Sequence, residues 1–153
     1  VRNIAVNARS VQEVVDGFST EAYPFTPSIT GVPTLFTEFG GTNDLGVQTA
    51  EYIYARRKQA WALARSNGCY VAAFEVPPVG NAQFPVQWEA NRVAMEALVD
   101  GDPSLYDVRV RVPAELMDPA NTAYYTDTVH FTPLGSQVLN AAFMAAVESA
   151  LGW

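Results

Sequence analysis

The chain has 153 residues, 49% of them hydrophobic and 16% charged, enough apolar material for one domain with a buried core. A net charge of −7 argues against a nucleic-acid partner, whose phosphates it would repel, and the low charge content argues against a disordered chain. The single cysteine, Cys69, rules out an intrachain disulfide and a cysteine-rich zinc site, and no stretch approaches the roughly 18 apolar residues that span a membrane.

Strand-like and helix-like patterns alternate along the chain, which predicts an α/β architecture with a mostly parallel sheet in one domain over residues 1–153. Arg2–Val6 reads as a short strand. Ser10-Val11-Gln12-Glu13 has the Ser-x-x-Glu form of a helix capping box. A proline-bearing loop, Tyr23-Pro24-Phe25-Thr26-Pro27, leads to a second strand candidate over Pro33–Phe39, which ends in Gly40-Gly41. The longest helical pattern runs from Leu45 to Asn67 and stops at Asn67-Gly68. Within it Arg56-Arg57-Lys58, the one basic run, reads as a solvated helix face. Cys69 opens a buried strand through Val76, so its thiol reads as a core group.

A helix over Val86–Leu98 follows, broken by Asp100-Gly101-Asp102-Pro103. Tyr106–Val112 alternates, with Val108, Val110 and Val112 on a buried face and Arg109 and Arg111 on a wet one. The last helix opens at Thr132-Pro133, an N-cap followed by proline at the first helical position, and runs to Leu151. Its core face is predicted to carry Leu134, Val138, Leu139, Phe143 and Val147.

His130 is the only histidine, so any imidazole base must be this residue and a multi-histidine metal site is impossible. Asp127 stands three residues before it, on a turn ahead of a helix. From there a carboxylate can hold Nδ1–H and leave Nε2 free to take a proton from a hydroxyl. A second constellation, Gly41-Thr42-Asn43-Asp44, joins a strand to a helix at the edge where open α/β sheets bind ligands. Glycine permits a tight turn there, and the Asn43 amide can aim a donor at a developing oxyanion. Taken singly, each has a plainer reading: a loop histidine with a structural role, and Asn43 or Asp44 as a helix cap.

In this order, the two motifs resemble those of the SGNH (GDSL-like) serine hydrolases. Gly41-Thr42-Asn43-Asp44 is similar to that family's Gly-x-Asn-Asp block, and Asp127-Thr128-Val129-His130 to its Asp-x-x-His block. Asn3–Ala8 looks like the block in which a glycine donates a backbone N–H; here alanine stands in its place. Phe74–Gly80 looks like the strand end that precedes the family's final segments. The resemblance implies a three-layer α/β/α, flavodoxin-like sheet and a Ser/His/Asp esterase acting on an acylated sugar, lipid or small ester, with neither cofactor nor metal. In it His130 is the base and Asp127 the acid. Asn43 and the Ala8 backbone form the oxyanion hole, and Gly41 supports the turn.

No Gly-Asp-Ser block occurs in these residues. In the family it ends the first, central strand, so that strand is expected on a segment ahead of Val1, which would be the chain's partner. Ser10 has capping to do, and Ser19, Ser28, Ser66, Ser104, Ser136 and Ser149 lack a strand-to-helix nucleophile turn. Two other readings remain. One is a module that keeps this fold, has lost the serine, and binds carbohydrate or a partner. The other is a glycosidase pairing Glu38 or Asp44 with Asp127. Tyr23, Phe25, Phe84, Trp88, Tyr124 and Tyr125 could line a substrate site or simply close the core.

Overall fold

Among the described residues three short parallel strands form the sheet, and their order in the sheet is their order in the chain. The computed structural model describes residues 9–22, 33–80 and 84–153. Helix α1 (Val11–Gly17) continues into a π-helical stretch, Phe18–Ala22. Then come β1 (Leu35–Glu38), α2 (Ala50–Ser66), β2 (Tyr70–Phe74), α3 (Gln87–Gly101), β3 (Val108–Val110) and α4 (Pro133–Leu151). Short 3₁₀ turns at Pro103–Leu105 and Ala114–Leu116 flank β3. β2 lies between β1 and β3, with Phe36 opposite Val71 and Ala73 opposite Arg109. The expected strand over Arg2–Val6 and the proline loop lie outside the described residues.

Alternation along each strand divides the core in two. Phe36, Val71 and Ala73 face α1, α2 and α3, joining Ile53, Trp61, Trp88, Met95 and Val99. Leu35, Ala72, Phe74, Val108 and Val110 face α4, joining Leu139, Phe143 and Val147. The central β2 is therefore buried on both sides, and its Val71–Phe74 run is continuously apolar. No helix among the described residues is long and apolar enough to cross a membrane.

Element ends follow local chemistry. Both bonds of the Ser10–Glu13 capping box are present. The helix expected from Leu45 starts at Ala50 instead, where the Thr49 hydroxyl accepts the N–H of Tyr52 at 3.2 Å. Asn91 of α3 donates to the Leu45 and Gln48 carbonyls, at 2.9 and 3.0 Å, which ties the stretch ahead of the helix to α3. α3 runs three residues past its expected end, to Gly101, and stops only at Pro103, which cannot continue it. β3 is shorter than the alternation suggested, since the N–H of Val112 goes to the Glu75 carboxylate at 2.9 Å.

Three placements correct the sequence reading. Arg57 does not belong to a solvated face: it is 1% exposed, with Nε 2.8 Å from Glu38 Oε2, Nη1 3.6 Å from Glu96 Oε1, and Nη2 donating to the Phe74 carbonyl at 2.5 Å. Arg109 is not on a wet face either, because α3 covers it. It pairs with Glu96 and, at 3.1 Å, with Asp100, which also takes Arg111 at 2.8 Å. Leu134, expected in the core, is 48% exposed.

Together these charges tie the carboxyl ends of the strands to α2 and α3. The N–H of Val76 donates to Glu96 at 2.8 Å, and Arg92 donates to the Val76 carbonyl at 3.1 Å. Backbone groups that have run out of ladder partners thus find side-chain partners.

Candidate active site

The turn that begins at Gly41 shapes the first half of the site. Gly41 has φ +113°, which an L side chain rarely adopts, and a Cβ there would meet Ile53 Cγ2 at 3.3 Å. Its carbonyl accepts the N–H groups of Asp44 and Leu45, both at 3.0 Å. The turn exposes Asn43 and buries Asp44. Asn43 Nδ2 donates to the Arg9 carbonyl at 3.3 Å, so one amide hydrogen is held by the residue after Ala8, and the other has no acceptor among the described residues. Asp44 Oδ2 accepts the N–H of Val11 at 3.0 Å, which fixes the start of α1 beside the same turn. Burial pushes the Asp44 carboxyl above its ordinary range, and the Val11 N–H offsets part of that. Ala8 itself lies outside the described residues.

The second half is a closed loop between the Ala114–Leu116 turn and α4. Tyr125 and Phe131 form an antiparallel bridge, and their rings lie 4.9 Å apart. The N–H of Thr126 donates to the His130 carbonyl at 2.8 Å, and the N–H of Thr132 to the Tyr124 carbonyl at 2.9 Å. Tyr125 is buried, with its hydroxyl donating to the Leu116 carbonyl at 2.6 Å; burial raises its pKa to about 12. Gly135 lets α4 close against this loop, because a Cβ there would sit 2.3 Å from the Tyr124 carbonyl oxygen. The loop is therefore anchored on both flanks while its tip stays in solvent.

Asp127 and His130 meet at that tip. Asp127 Oδ2 lies 2.7 Å from His130 Nδ1, and Oδ1 accepts the N–H of His130 at 2.8 Å and of Val129 at 3.1 Å. Thr128 between them has φ +67°, an uncommon and strained conformation for a β-branched residue, and its carbonyl accepts the Gly80 N–H at 3.1 Å. The backbone N–H of His130, and next its ring, hold the Asp127 carboxyl at about 2, below the ordinary 3.8. An ionised carboxylate can only accept, so Nδ1 carries the proton and Nε2 of the neutral ring has a free lone pair. The His130 side chain is 72% exposed and that of Asp127 54%, so the ring is open to solvent.

A titration follows from this geometry. A depressed folded pKa means that the Asp127 contribution is complete above 3.8 and is lost as pH falls through about 2. Carboxyl-carbon NMR should find that midpoint near 2, and His130→Ala should move it upward by removing the ring donor. A midpoint unmoved by His130→Ala would contradict the bond.

Phe39, four residues before Asn43, and Phe131, next to His130, line a cavity of about 300 Å³ together with Phe74, Ser136, Leu139, Asn140 and Phe143; Asn43, Asp127 and His130 themselves are not among its lining residues. Phe39 and Phe74 mark the carboxyl ends of β1 and β2, so the cavity opens on the edge where parallel α/β sheets bind ligands. Among the described residues no hydrogen bond joins Asn43 to the Asp127–His130 pair, and no three metal-type ligands converge.

Solved structures of like shape decide what the fold is. A GDSL-like lipase from Bacteroides thetaiotaomicron superposes with a TM-score of 0.69 and 22% identity, over 94% of this chain and 73% of that one. The chain has the SGNH hydrolase fold. A carbohydrate esterase of family 3 from Talaromyces cellulolyticus superposes with a TM-score of 0.67 and 14% identity, over 93% of this chain and 68% of that one. An acetylxylan esterase from Geobacillus stearothermophilus gives 0.66 and 14% over 92% and 68%. No family model matches the chain, and no curated protein sequence matches it.

Within the SGNH fold the other carboxylate reading fails on burial. Glu38 is 5% exposed, with Oε2 held by Arg57 and by Trp61 Nε1 at 3.2 Å, and Asp44 is 4% exposed at the start of α1. Both carboxylates are thus engaged inside the fold, whereas the Asp127 side chain is 54% exposed. Of the aromatics singled out, Trp88 and Tyr125 are core groups, while Tyr23 and Phe25 lie outside the described residues. The sequence reading gave neither Phe39 nor Phe131 a place at a site, although Phe131 directly follows His130 and Phe39 stands two residues before Gly41.

Proposed function

We propose that the chain supplies the base, the acid and the oxyanion donors of a serine esterase whose serine lies on a segment ahead of Val1. One observation carries this reading: an ionised Asp127 bonded to Nδ1 of the sole, solvent-open histidine, which leaves Nε2 as a base. The fold supports it, because neighbours of this shape include a lipase and two carbohydrate esterases.

The chemistry follows from that base. His130 Nε2 takes the serine hydroxyl proton while the serine oxygen bonds to the acyl carbon, and Asp127 stabilises the imidazolium that forms. Negative charge then gathers on the former carbonyl oxygen. The second hydrogen of the Asn43 amide and the Ala8 N–H donate to it. The carbon–alkoxide bond breaks as Nε2 returns its proton to the leaving alcohol, and water repeats the sequence to release the acid. The substrate class is a carboxylic ester, with acylated carbohydrate the variety that the two esterases suggest.

A chromogenic short-chain ester assay on the complete gene product, repeated after serine-directed inactivation, tests the proposal. Turnover that the inactivator abolishes supports it; a gene product without turnover favours the binding-module reading. Asn43→Ala should lower kcat on the order of 100-fold or more with little change in KM, since the donor acts on charge present only in the transition state. A change confined to KM would remove Asn43 from the oxyanion hole.

A further inference from the structure

The internal bonds of the Asn43 turn run to two carbonyls. Gly41 accepts the N–H groups of Asp44 and Leu45, and Asp44 accepts those of Val47 and Gln48, at 2.9 and 2.8 Å. The carbonyls of Thr42, Leu45, Gly46 and Gln48 are left over, and side chains at the start of α3 take all four. Trp88 Nε1 donates to Thr42 at 2.9 Å, Gln87 Nε2 to Gly46 at 3.3 Å, and Asn91 Nδ2 to Leu45 and Gln48. The approach is close as well, since a Cβ on Gly46 would meet Pro85 Cδ at 3.0 Å. Of these donors only Trp88 is buried, at 2% exposed, with the Phe84 ring 5.6 Å from its own.

We infer that Trp88 is a positioning residue for the oxyanion donor Asn43, a role that rests on the esterase reading. The Thr42 carbonyl belongs to the rigid peptide plane that leads into Asn43. A bond to its oxygen therefore fixes the direction in which the Asn43 side chain leaves the backbone. Among the described residues that side chain has one other hold, the longer bond to the Arg9 carbonyl at 3.3 Å. A buried indole needs an acceptor for its N–H, and this one finds it in the site turn rather than in the sheet or in its own helix. The same helix also reaches the second half of the site. Arg92, four residues on, donates to the Val76 carbonyl, and Glu96 accepts the Val76 N–H. The loop that leaves Val76 reaches Gly80, whose N–H holds the Thr128 carbonyl between Asp127 and His130. α3 is thus common to both halves, and Trp88 is the residue by which it grips the peptide of Asn43.

A double-mutant cycle in the complete gene product, read beside amide hydrogen exchange, tests the role. Trp88→Phe keeps an aromatic ring in the core and removes the donor. It should lower kcat about 10-fold with KM little changed, since a misaimed donor fails only in the transition state. In an Asn43→Ala background the same substitution should change kcat by less than about twofold, because the group it aims is already gone. The N–H groups of Asp44 and Leu45 should exchange about 10-fold faster in Trp88→Phe. That of Asp107, bonded to the Val71 carbonyl at the amino edge of the sheet, should keep its rate. Asn91→Ala, at a half-buried side chain that grips the same turn, should repeat the pattern more weakly, and it carries the test if Trp88→Phe does not fold. An equal loss of kcat in both backgrounds, or an equal change of exchange at all three amides, would overturn the inference, since a purely structural tryptophan gives that result. A parent without ester turnover counts against the esterase reading instead, and exchange alone then decides whether Trp88 holds the turn.

Discussion

His130→Ala in the serine-bearing gene product should lower kcat on the order of 10⁴-fold or more while leaving the folded state intact. No other imidazole exists in these residues to take over proton transfer. Among the described residues the ring makes one side-chain bond, to Asp127, and it stands 72% exposed, so its loss opens no cavity. Stability should therefore barely change, because the anchors of the loop are Tyr125, Thr126 and Thr132, together with Gly135. Asp127→Asn should cost roughly as much by a different route. An amide can donate to Nδ1, which favours the tautomer with its proton on Nε2 and takes away the base. Ester turnover measured beside circular dichroism separates the two effects. Full turnover in either variant would remove the pair from the mechanism.

Arg57→Met should have the largest effect on stability. Arg57 is the cation between two buried carboxylates, Glu38 and Glu96, and its side chain is wholly inaccessible. Methionine fills much of the space but leaves Glu38 without its ion pair, and Oε1 of that residue already finds no donor among the described residues. Removing one partner of a buried pair costs about 3–5 kcal/mol, which in a domain of this size lowers Tm on the order of 10 °C. Glu38→Leu combined with Arg57→Met should recover part of the loss, since it removes the orphaned charge as well. The pair also holds the end of β1 just ahead of Gly41. Arg57→Met should therefore loosen the Asn43 turn in addition to lowering Tm. A Tm within a degree or two of the parent would show that the pair is not what braces this edge.

Motifs made of neighbours in sequence were legible; those assembled across the sheet were harder to read. Asp127 and His130 are one turn apart, so a local rule predicts their bond. The capping box of Ser10 and the Thr132-Pro133 start of α4 follow from the same kind of rule. Arg57 was misread because its neighbours Arg56 and Lys58 suggested a solvated run. Its spacing says otherwise: Ile53, Arg57, Trp61 and Ala64 recur at helical intervals along one buried face. Arg92, between Trp88 and Met95 on α3, sits in the same kind of stripe. Arg92 has one local partner, Glu89 three residues back on α3, but its Val76 carbonyl and the Glu38 that holds Arg57 lie 16 and 19 residues away, outside their helices, and local periodicity cannot name those. Leu134 was misplaced for a different reason. α4 is apolar almost all the way round, so its pattern does not say which face meets the sheet.

Trapping the complete gene product with a phosphonate ester and solving the structure of the adduct would test the central claim most directly. The expected result is phosphorus on a serine of the leading segment, its oxygen about 3 Å from Asn43 Nδ2, and His130 Nε2 within hydrogen-bond reach of the serine oxygen. An adduct on any other residue, or one on that serine with Asn43 and His130 on separate sides of the sheet, would contradict it.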